Sequence, residues 1–326
     1  MKSRRVFTTN TGFFAVLYSF TGGSDGAYPL ASLVTDASGN FYGTTEQGGT
    51  SGLGVVFKLA PGGTETVLHS FTGGGDDGAN PLANLIMDAS GNLYGTTVYG
   101  GADDLGTVFE VSPGGSETVL HSFAGSDGAL PVASVVMDGA GNLYGTTAQG
   151  GASTNCGGGC GTVFKLAPGG GSETVIHSFS GSDGANPEAA VILVGAGNLY
   201  GTTEVGGAND EGTVFEVSHK GKESVLHSFA GGSDGAYPVS GVVKKGGVLY
   251  GTTLEGGMSS YGTVFKTPDK GGSDTVLYSF TGGGDGGLPE GGVLDEAGNL
   301  FGTTYAGGTS CGEPEGSCGV VFELEP

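Results

Sequence analysis

Tyr94-Gly95-Thr96-Thr97 is one of six nearly identical tetrapeptides in this chain of 326 residues. Successive copies are 52, 50, 56, 50 and 51 residues apart. The other five begin at Tyr42, Tyr144, Tyr200, Tyr250 and Phe301. A unit repeated at this period predicts a repeat architecture in which each copy is one supersecondary unit. We expect residues shared by all six units to build the unit, and functional residues to lie where the units differ.

Each unit contains four short apolar segments, which we name strands a to d. In the second unit they cover Leu82–Asp88, Asn92–Thr97, Gly106–Val111 and Glu117–Phe123. Each segment is rich in Val, Leu, Phe, Tyr and Thr and is bounded by turn residues, which is typical of antiparallel strands. Glycine supplies 72 residues, which disfavours helix and suits tight turns.

Four antiparallel strands per unit predict an all-β fold, a six-bladed β-propeller that forms one domain over residues 1–326. The chain ends on a strand c, Gly319–Leu324, and begins with a spare strand d, Phe14–Phe20. We therefore expect the N-terminal strand to complete the last blade, which removes an open sheet edge. Residues 1–13, including the strand-c-like Arg4–Thr9, form an extension without a place in the ring. The alternative architecture is a β-solenoid.

The repeated frame gives a resemblance to a known family. It runs Pro-x(6)-Asp-x-x-Gly-Asn-Leu-Tyr-Gly-Thr-Thr, then Gly-Gly, then Gly-Thr-Val-Phe, then Val-Leu-His-Ser-Phe. This frame resembles the bacterial tandem repeat called GloVer (Gloeo-Verruco), and its strand order is similar to that of NHL-type propellers. The resemblance covers nearly the whole chain and implies a secreted or surface-associated bacterial protein. It implies no particular chemistry.

The chain is strongly acidic, with 33 Asp and Glu against 11 Lys and Arg and a net charge of −22. Such a surface repels nucleic acid and anionic membranes, so we expect neither as a partner. The charge suits solubility outside the cell, and the alternative is recognition of a cation or a basic partner. No apolar run is long enough to span a bilayer. We expect a monomer.

The four cysteines fall into two local pairs, each in an enlarged loop between strands b and c. Cys156 and Cys160 belong to the third unit, and Cys311 and Cys318 belong to the sixth. Two local disulfides fit this spacing and predict an oxidising compartment, extracellular or periplasmic. The alternative, a zinc site, needs ligands from nonadjacent units. The basic start Met1–Arg5 runs directly into the first strand, so we expect a native leader to lie outside this chain.

Two polar positions recur in every unit. One is an aspartate before glycine in the connection from strand d to strand a, at Asp25, Asp77, Asp127, Asp183, Asp234 and Asp285. Asp-Gly predicts turn chemistry, and the alternative is a ring of carboxylates that binds Ca²⁺. The other is His69, His121, His177 and His227 in strand d, replaced by Tyr18 and Tyr278 elsewhere. This exchange favours a hydrogen-bonding ring over a metal ligand, so the sequence predicts no metal site and no cofactor.

The connections d–a and b–c are expected to emerge on one face, around the mouth of the central channel. Their variable residues are the candidate ligand-binding set. They are Tyr28, Asn80, Asn186 and Tyr237 before the repeated proline, and Glu46, Glu255 and Tyr305 after strand b. Aromatic faces stack on sugar rings, and amides and carboxylates bond sugar hydroxyls. The alternative is unselected variation of exposed loop residues.

The leading functional hypothesis is a binding or scaffold module that recognises a glycan or a surface protein at the mouth. The alternative is a carbohydrate-active hydrolase or lyase that uses Glu188, Glu290 or Glu204. Acid–base cleavage of a glycoside needs two carboxylates about 5–9.5 Å apart. Glu188 and Glu290 belong to the fourth and sixth units, so we expect them to be too far apart. The sequence contains no nucleophile elbow, Walker loop or dinucleotide fingerprint.

Overall fold

A computed structural model describes residues 15–308 and 318–326 of the chain. These residues form 25 β-strands and one 3-10 turn at Gly232–Asp234, and they contain no α-helix. The fold is therefore all-β, as the strand pattern predicts. The described residues include no helix with the length and apolar character needed to cross a membrane.

The first three units each form a four-stranded antiparallel sheet in the order a-b-c-d. The first sheet contains β1 (Val34–Thr35), β2 (Phe41–Thr45), β3 (Val55–Leu59) and β4 (Glu65–Ser70). A two-stranded ribbon of β5 (Gly78–Ala79) and β8 (Tyr99–Gly100) flanks the second sheet, which contains β6 (Ile86–Met87), β7 (Leu93–Thr97), β9 (Thr107–Val111) and β10 (Glu117–Ser122). The third contains β11 (Val136–Met137), β12 (Leu143–Thr147), β13 (Thr162–Leu166) and β14 (Glu173–Ser178).

The remaining units repeat this order, and the last sheet has three strands within the described residues. The fourth sheet contains β15 (Ile192–Val194), β16 (Asn198–Thr203), β17 (Thr213–Val217) and β18 (Glu223–Ser228). The fifth contains β19 (Val243–Lys245), β20 (Val248–Thr253), β21 (Thr263–Pro268) and β22 (Thr275–Ser279). The sixth contains β23 (Leu294–Glu296), β24 (Asn299–Thr303) and β25 (Val321–Leu324).

Neighbouring sheets pack through a repeated pair of phenylalanines. The last Phe of strand d meets the Phe of strand c in the next unit edge to face, with ring centroids 5.0–5.2 Å apart. The pairs are Phe20–Phe57, Phe71–Phe109, Phe123–Phe164, Phe179–Phe215, Phe229–Phe265 and Phe280–Phe322. The apolar core is thus divided among the interfaces between sheets, because one sheet cannot bury both of its faces alone.

The Thr-Thr pair that ends strand b also joins neighbouring units. In the second unit, Thr96 Oγ1 donates to the carbonyl oxygen of Ala133 in the third unit at 3.0 Å. Thr97 Oγ1 lies 2.8 Å from Thr107 Oγ1 within its own sheet. Both threonines are buried, so these bonds satisfy polar groups that water does not reach. Thr96 therefore bonds to the next unit, and Thr97 bonds within its own sheet.

The N-terminal segment packs as a strand d packs, but the expected strand pairing is absent. Phe20 contacts Phe57 of the first sheet, and Tyr18 Oη donates to Asp25 at 2.9 Å. Residues 15–20 nevertheless form no strand, and β25 pairs only with β24 among the described residues. A groove of about 400 Å³ lies along β25 instead. Phe14 and residues 4–9 lie outside the described residues, so ring closure stays a proposal.

Candidate functional site

The connections d–a and b–c of one unit lie side by side, as the sequence predicts. In the third unit, Ala129 and Gln149 form an antiparallel bridge between these two loops, and Ala185 and Val205 do the same in the fourth. The β5–β8 ribbon is the extended form of this contact in the second unit. The variable loop residues of all units therefore emerge on a common face of the sheets.

The residue before each repeated proline has a left-handed backbone. Its φ lies between 53° and 58° in all six units. In the fourth unit, Asn186 N donates to Cys160 O of the preceding unit at 3.1 Å, and Asn186 O accepts from Glu204 N at 2.9 Å. These two backbone bonds hold a conformation that is unfavourable for most side chains. The backbone alone performs this task, which leaves the side chain free to differ as Tyr28, Asn80, Leu130, Asn186, Tyr237 and Leu288 do.

Five residues that follow the repeated proline converge on one cavity of about 260 Å³. They are Leu30, Leu82, Val132, Glu188 and Val239, one from each of the first five units. The cavity therefore brings residues of five units together, and Glu188 is the acidic residue of its lining. Glu188 is exposed to solvent, yet partial desolvation in the cavity, followed by the charge of Glu204, raises its pKa. Glu290, the equivalent residue of the sixth unit, is also exposed but does not line this cavity.

The candidate ligand-binding residues are distributed over several units. Tyr28 and Tyr305 are 59% and 68% exposed and belong to the first and last units. Asn80 Nδ2 donates to Glu46 O at 3.2 Å, which joins two candidates through a structural bond. Tyr237 lies beside two carboxylates: the charge of Glu211, followed by burial and the charge of Glu255, raises its pKa. Glu211 of the preceding unit was not among the predicted residues.

A polar cavity of about 470 Å³ lies between the disulfide loop of the third unit and the loops of the fourth. Its polar side chains include Asn155, Ser182, Asn186 and Asp210. Asn155 Nδ2 donates to Ser180 O at 2.9 Å, and Asp210 Oδ1 accepts from Gly206 N at 3.0 Å. The Asn186 side-chain amide has no hydrogen-bond partner among the described residues, so both of its polar atoms are available to a ligand.

The enlarged loop that lines this cavity contains the predicted disulfide. Cys156 and Cys160 form a disulfide with Cα atoms 5.1 Å apart, and Cys156 lines the cavity. Asn155, which immediately precedes this closed loop, lines the same cavity as Asn186 of the next unit. The second predicted pair includes Cys311, which lies outside the described residues, so its pairing with Cys318 stays a prediction.

The repeated aspartates bind back to their own loops. Asp25 accepts from Thr21 N and Oγ1 at 2.8 and 2.6 Å, and these bonds hold the pKa of Asp25 at about 2. Asp127 accepts from Ala124 N at 2.8 Å, and its other oxygen lies 3.0 Å from His121 Nε2. Asp77, Asp183, Asp234 and Asp285 make the equivalent bonds. These contacts support the turn role that Asp-Gly predicts.

Sequence reasoning missed a third member of this arrangement. The acidic residue that opens strand d reaches the His–Asp pair of the preceding unit, so that Glu117 lies beside His69 and Asp77. Burial, and then the charge of Asp77, raises the pKa of Glu117 to about 7. Burial has the same effect on Glu173 and Glu223, whose pKa values are also about 7. The signal in the sequence was a Glu four residues before each of the four histidines.

Comparison with known proteins decides the family. The sequence model of the family described as the Gloeobacter/Verrucomicrobia repeat matches residues 6–158 and 154–326. The chain belongs to this family. The two matches together span all six units, and they confirm the resemblance that the repeated frame carries. No curated protein matches the chain.

Solved structures resemble this family member in fold at low sequence identity. A virginiamycin B lyase from Staphylococcus aureus has a TM-score of 0.53 at 12% identity, over 92% of this chain and 84% of the lyase. The periplasmic gluconolactonase of Pseudomonas aeruginosa has a TM-score of 0.52 at 16% identity, over 91% of this chain and 85% of the gluconolactonase. These similarities support a propeller-like fold and carry no argument about activity.

Proposed function

We propose that this repeat protein is a binding module that recognises a glycan outside the cytoplasm, at the polar cavity of Asn155, Ser182, Asn186 and Asp210. The observation that carries the proposal is the place of this cavity. It lies where the third unit departs from the repeat, behind a disulfide-clamped loop, and it contains an amide without a partner. Residues that recur in every unit build the repeat, whereas this cavity lies at the junction of the third and fourth units, beside an enlarged loop that the first two units lack.

The chemistry of the cavity suits a sugar. Its lining is mainly polar, and it offers amide groups, a hydroxyl and a carboxylate, which together bond vicinal hydroxyls as donors and acceptors. Tyr237, Glu211 and Glu255 at the next junction supply an aromatic face and two further acceptors. Exposed Tyr28 and Tyr305 provide the same kind of face at the two ends of the chain. A surface protein is the other partner class that this proposal covers, and we propose a monomeric protein.

The disulfide supports the proposed location. A cystine persists in oxidising compartments, which in bacteria are the periplasm and the cell exterior. Net charge of −22 adds solubility there and disfavours nucleic acid and anionic membranes as partners. We therefore place the protein outside the cytoplasmic membrane.

We also propose that the sheets form six blades of a ring, closed by residues 15–20 at the free edge of β25. Tyr18, Phe20 and Leu17 already make the contacts that a strand d makes with the next sheet: the bond to Asp25, the ring contact with Phe57 and the approach of Leu17 to Gly63. Val321 is 81% exposed on β25, and the adjoining groove of about 400 Å³ is lined mainly by apolar residues. Closure buries this surface and completes the last sheet.

Glycan binding is expected to weaken at least about tenfold in Asn186→Leu, because the leucine removes two hydrogen-bonding atoms from the cavity. Leu130 and Leu288 have the same backbone conformation in other units, so leucine is compatible with the fold at this position. Binding is measured by calorimetry with the glycan that gives the strongest signal on a glycan array. Asn80→Leu, the same exchange outside the cavity, is the control; it also removes the bond to Glu46 O, so its fold is checked by circular dichroism, and it should leave binding unchanged. Equal affinity of Asn186→Leu and the parent chain would contradict this site.

One observation favours the alternative function, a hydrolase or lyase. Glu188 lines the cavity shared by five units, and its pKa is raised in part by the charge of Glu204. Two carboxyl groups with different pKa values can divide the roles of general acid and carboxylate partner between them. We expect binding without turnover. If reducing ends or unsaturated products do appear, Glu188→Gln should lower their rate by about 10²–10⁴-fold, with Glu290→Gln as the control outside the cavity. Turnover lost in Glu188→Gln alone, with folding intact, would replace the binding proposal by the enzyme.

A further inference from the structure

Four of the interfaces between units contain a histidine and two carboxylates. In each, the histidine of strand d and the aspartate of the following loop come from one unit, and the second carboxylate opens strand d of the next unit. The groups are His69, Asp77 and Glu117; His121, Asp127 and Glu173; His177, Asp183 and Glu223; His227, Asp234 and Asp274. One ligand atom from each residue lies within 4.8 Å of the others.

The spacing of these atoms is close to that of a metal site. In the first three groups, histidine Nε2 lies 3.0–3.1 Å from the nearest aspartate oxygen. Ligand atoms of a tetrahedral zinc site with bonds of about 2.0–2.1 Å lie about 3.3 Å apart. Small side-chain shifts are therefore sufficient to place a cation between the three donors. One imidazole and two carboxylates, with water in the fourth position, form a donor set that divalent transition metals accept.

A buried carboxylate oxygen without a hydrogen bond occurs in every group. Glu117 Oε1, Glu173 Oε1 and Glu223 Oε1 are inaccessible to solvent and have no hydrogen-bond partner among the described residues, and Asp274 Oδ2 is equally inaccessible and lies 3.6 Å from His227 Nε2. A buried carboxylate oxygen without a partner is costly, and here it lies next to a second carboxylate. A bound dication satisfies the orphaned oxygen and neutralises both carboxylates. The orphan is a property of the repeat, because Glu65 Oε1, which opens strand d of the first unit, is also buried without a partner in the described part of the chain, although Tyr18 replaces the histidine at that interface.

The surrounding bonds orient the ligands as outer partners of metal sites do. Asp127 Oδ1 accepts from Ala124 N at 2.8 Å, which leaves Oδ2 directed at His121. Asp183 Oδ1 is held in the same way by Ser180 N at 2.8 Å. The His121 ring is fixed edge to face on Phe123 with centroids 4.8 Å apart. Preorganised ligands of this kind raise metal affinity.

A bulge in strand d explains how one strand serves two interfaces. The pairing of β10 with β9 shifts between Val119 and His121, so one extra residue stands between them. Side chains alternate along a strand, and one extra residue reverses the alternation. Glu117 therefore points to the preceding unit and His121 to the following one. The same shift recurs in β14 and β18.

We propose that these four interfaces are binding sites for divalent transition-metal ions of the zinc type, with ligands from both neighbouring units. The site is distinct from the cavity of the proposed function. The sequence argued against a metal because Tyr18 and Tyr278 replace histidine, but those residues mark the interfaces at which the described residues form no such group. There, Tyr Oη donates to Asp25 and Asp285 at 2.9 Å, and no imidazole is present.

The test measures zinc bound per chain after dialysis against buffered Zn²⁺, by elemental analysis of the full protein. We expect wild type to bind zinc in a chelator-reversible form and His121→Tyr to bind one ion fewer. A variant with tyrosine at all four histidine positions should lose these ions and keep its fold, because two units use tyrosine there naturally. His219→Tyr, which changes the exposed turn histidine, should bind as much zinc as wild type. Bound Co²⁺ should show the visible absorption of four-coordinate cobalt and lose it in the fourfold variant.

Two results overturn the proposal. One is a wild-type chain that takes up no zinc at micromolar free metal. The other is a folded fourfold variant that binds as much zinc as wild type, which places any bound zinc elsewhere. Circular dichroism in the absence of metal shows whether each variant is folded. His121→Tyr serves as the single-site version if the fourfold variant does not fold.

Discussion

Replacing Phe123 by alanine is expected to lower the free energy of unfolding by about 3–5 kcal/mol. Phe123 is fully buried, and its ring meets Phe164 of the next sheet with centroids 5.2 Å apart. Truncation removes a buried aromatic contact between the second and third sheets and leaves a cavity that the surrounding core fills only in part. Equilibrium urea unfolding followed by circular dichroism measures the change. Tyr99→Ala, at a 45% exposed position, is the surface control and should cost far less.

The same substitution at Phe20 tests ring closure. Phe20 makes the equivalent contact with Phe57 at 5.0 Å, but it belongs to a segment that forms no strand among the described residues. If residues 15–20 complete the last sheet, Phe20→Ala should cost nearly as much as Phe123→Ala. A loss below about 1 kcal/mol for Phe20→Ala, beside the full loss for Phe123→Ala, would contradict closure and leave an open ring of sheets.

Repetition made most of the fold predictable. Strands b, c and d of the second unit were predicted within one residue of the observed β7, β9 and β10. Strand a was predicted over Leu82–Asp88, but only Ile86–Met87 form β6. The first residues of the predicted strand bond to the preceding unit instead of to their own sheet. The carbonyl oxygen of Ala83 accepts a hydrogen bond from Thr44 Oγ1 of that unit at 3.4 Å. Local pattern indicates an extended segment but not which neighbour it bonds.

The candidate site was predictable only in its general position. Asn186 was identified because units differ there, and the structure places it in a polar cavity with the predicted disulfide. Asn155, Ser182 and Asp210 were missed because their relevance depends on how two units meet. The clusters of histidine and carboxylates were missed for a related reason. The bulge in strand d, which turns Glu117 and His121 to opposite neighbours, has no clear signature in a single unit.

Adding one methyl group at Gly145 is expected to lower the free energy of unfolding by about 2–3 kcal/mol. A Cβ atom there would lie 2.6 Å from Phe164 Cζ, 2.9 Å from Phe164 Cε1 and 3.2 Å from Val135 Cγ1. Phe164 cannot move away, because Phe123 packs on its other side at 5.2 Å. The glycine of every Tyr-Gly-Thr-Thr or Phe-Gly-Thr-Thr copy meets the phenylalanine of its strand c in this way. Glycine in the middle of a strand here makes room for an aromatic ring across the sheet.

The control lies six residues away in the same unit. Gly139 has open space around its missing Cβ and no left-handed φ, and Ala37 and Ala89 occupy its position in the first two units. Gly139→Ala should therefore change the free energy of unfolding by less than about 0.5 kcal/mol. Urea unfolding of both variants compares one methyl group in two places. Equal stability of the two would show that the repeated glycine is not required by the ring of Phe164, and the tetrapeptide that defines the repeat would need another physical cause.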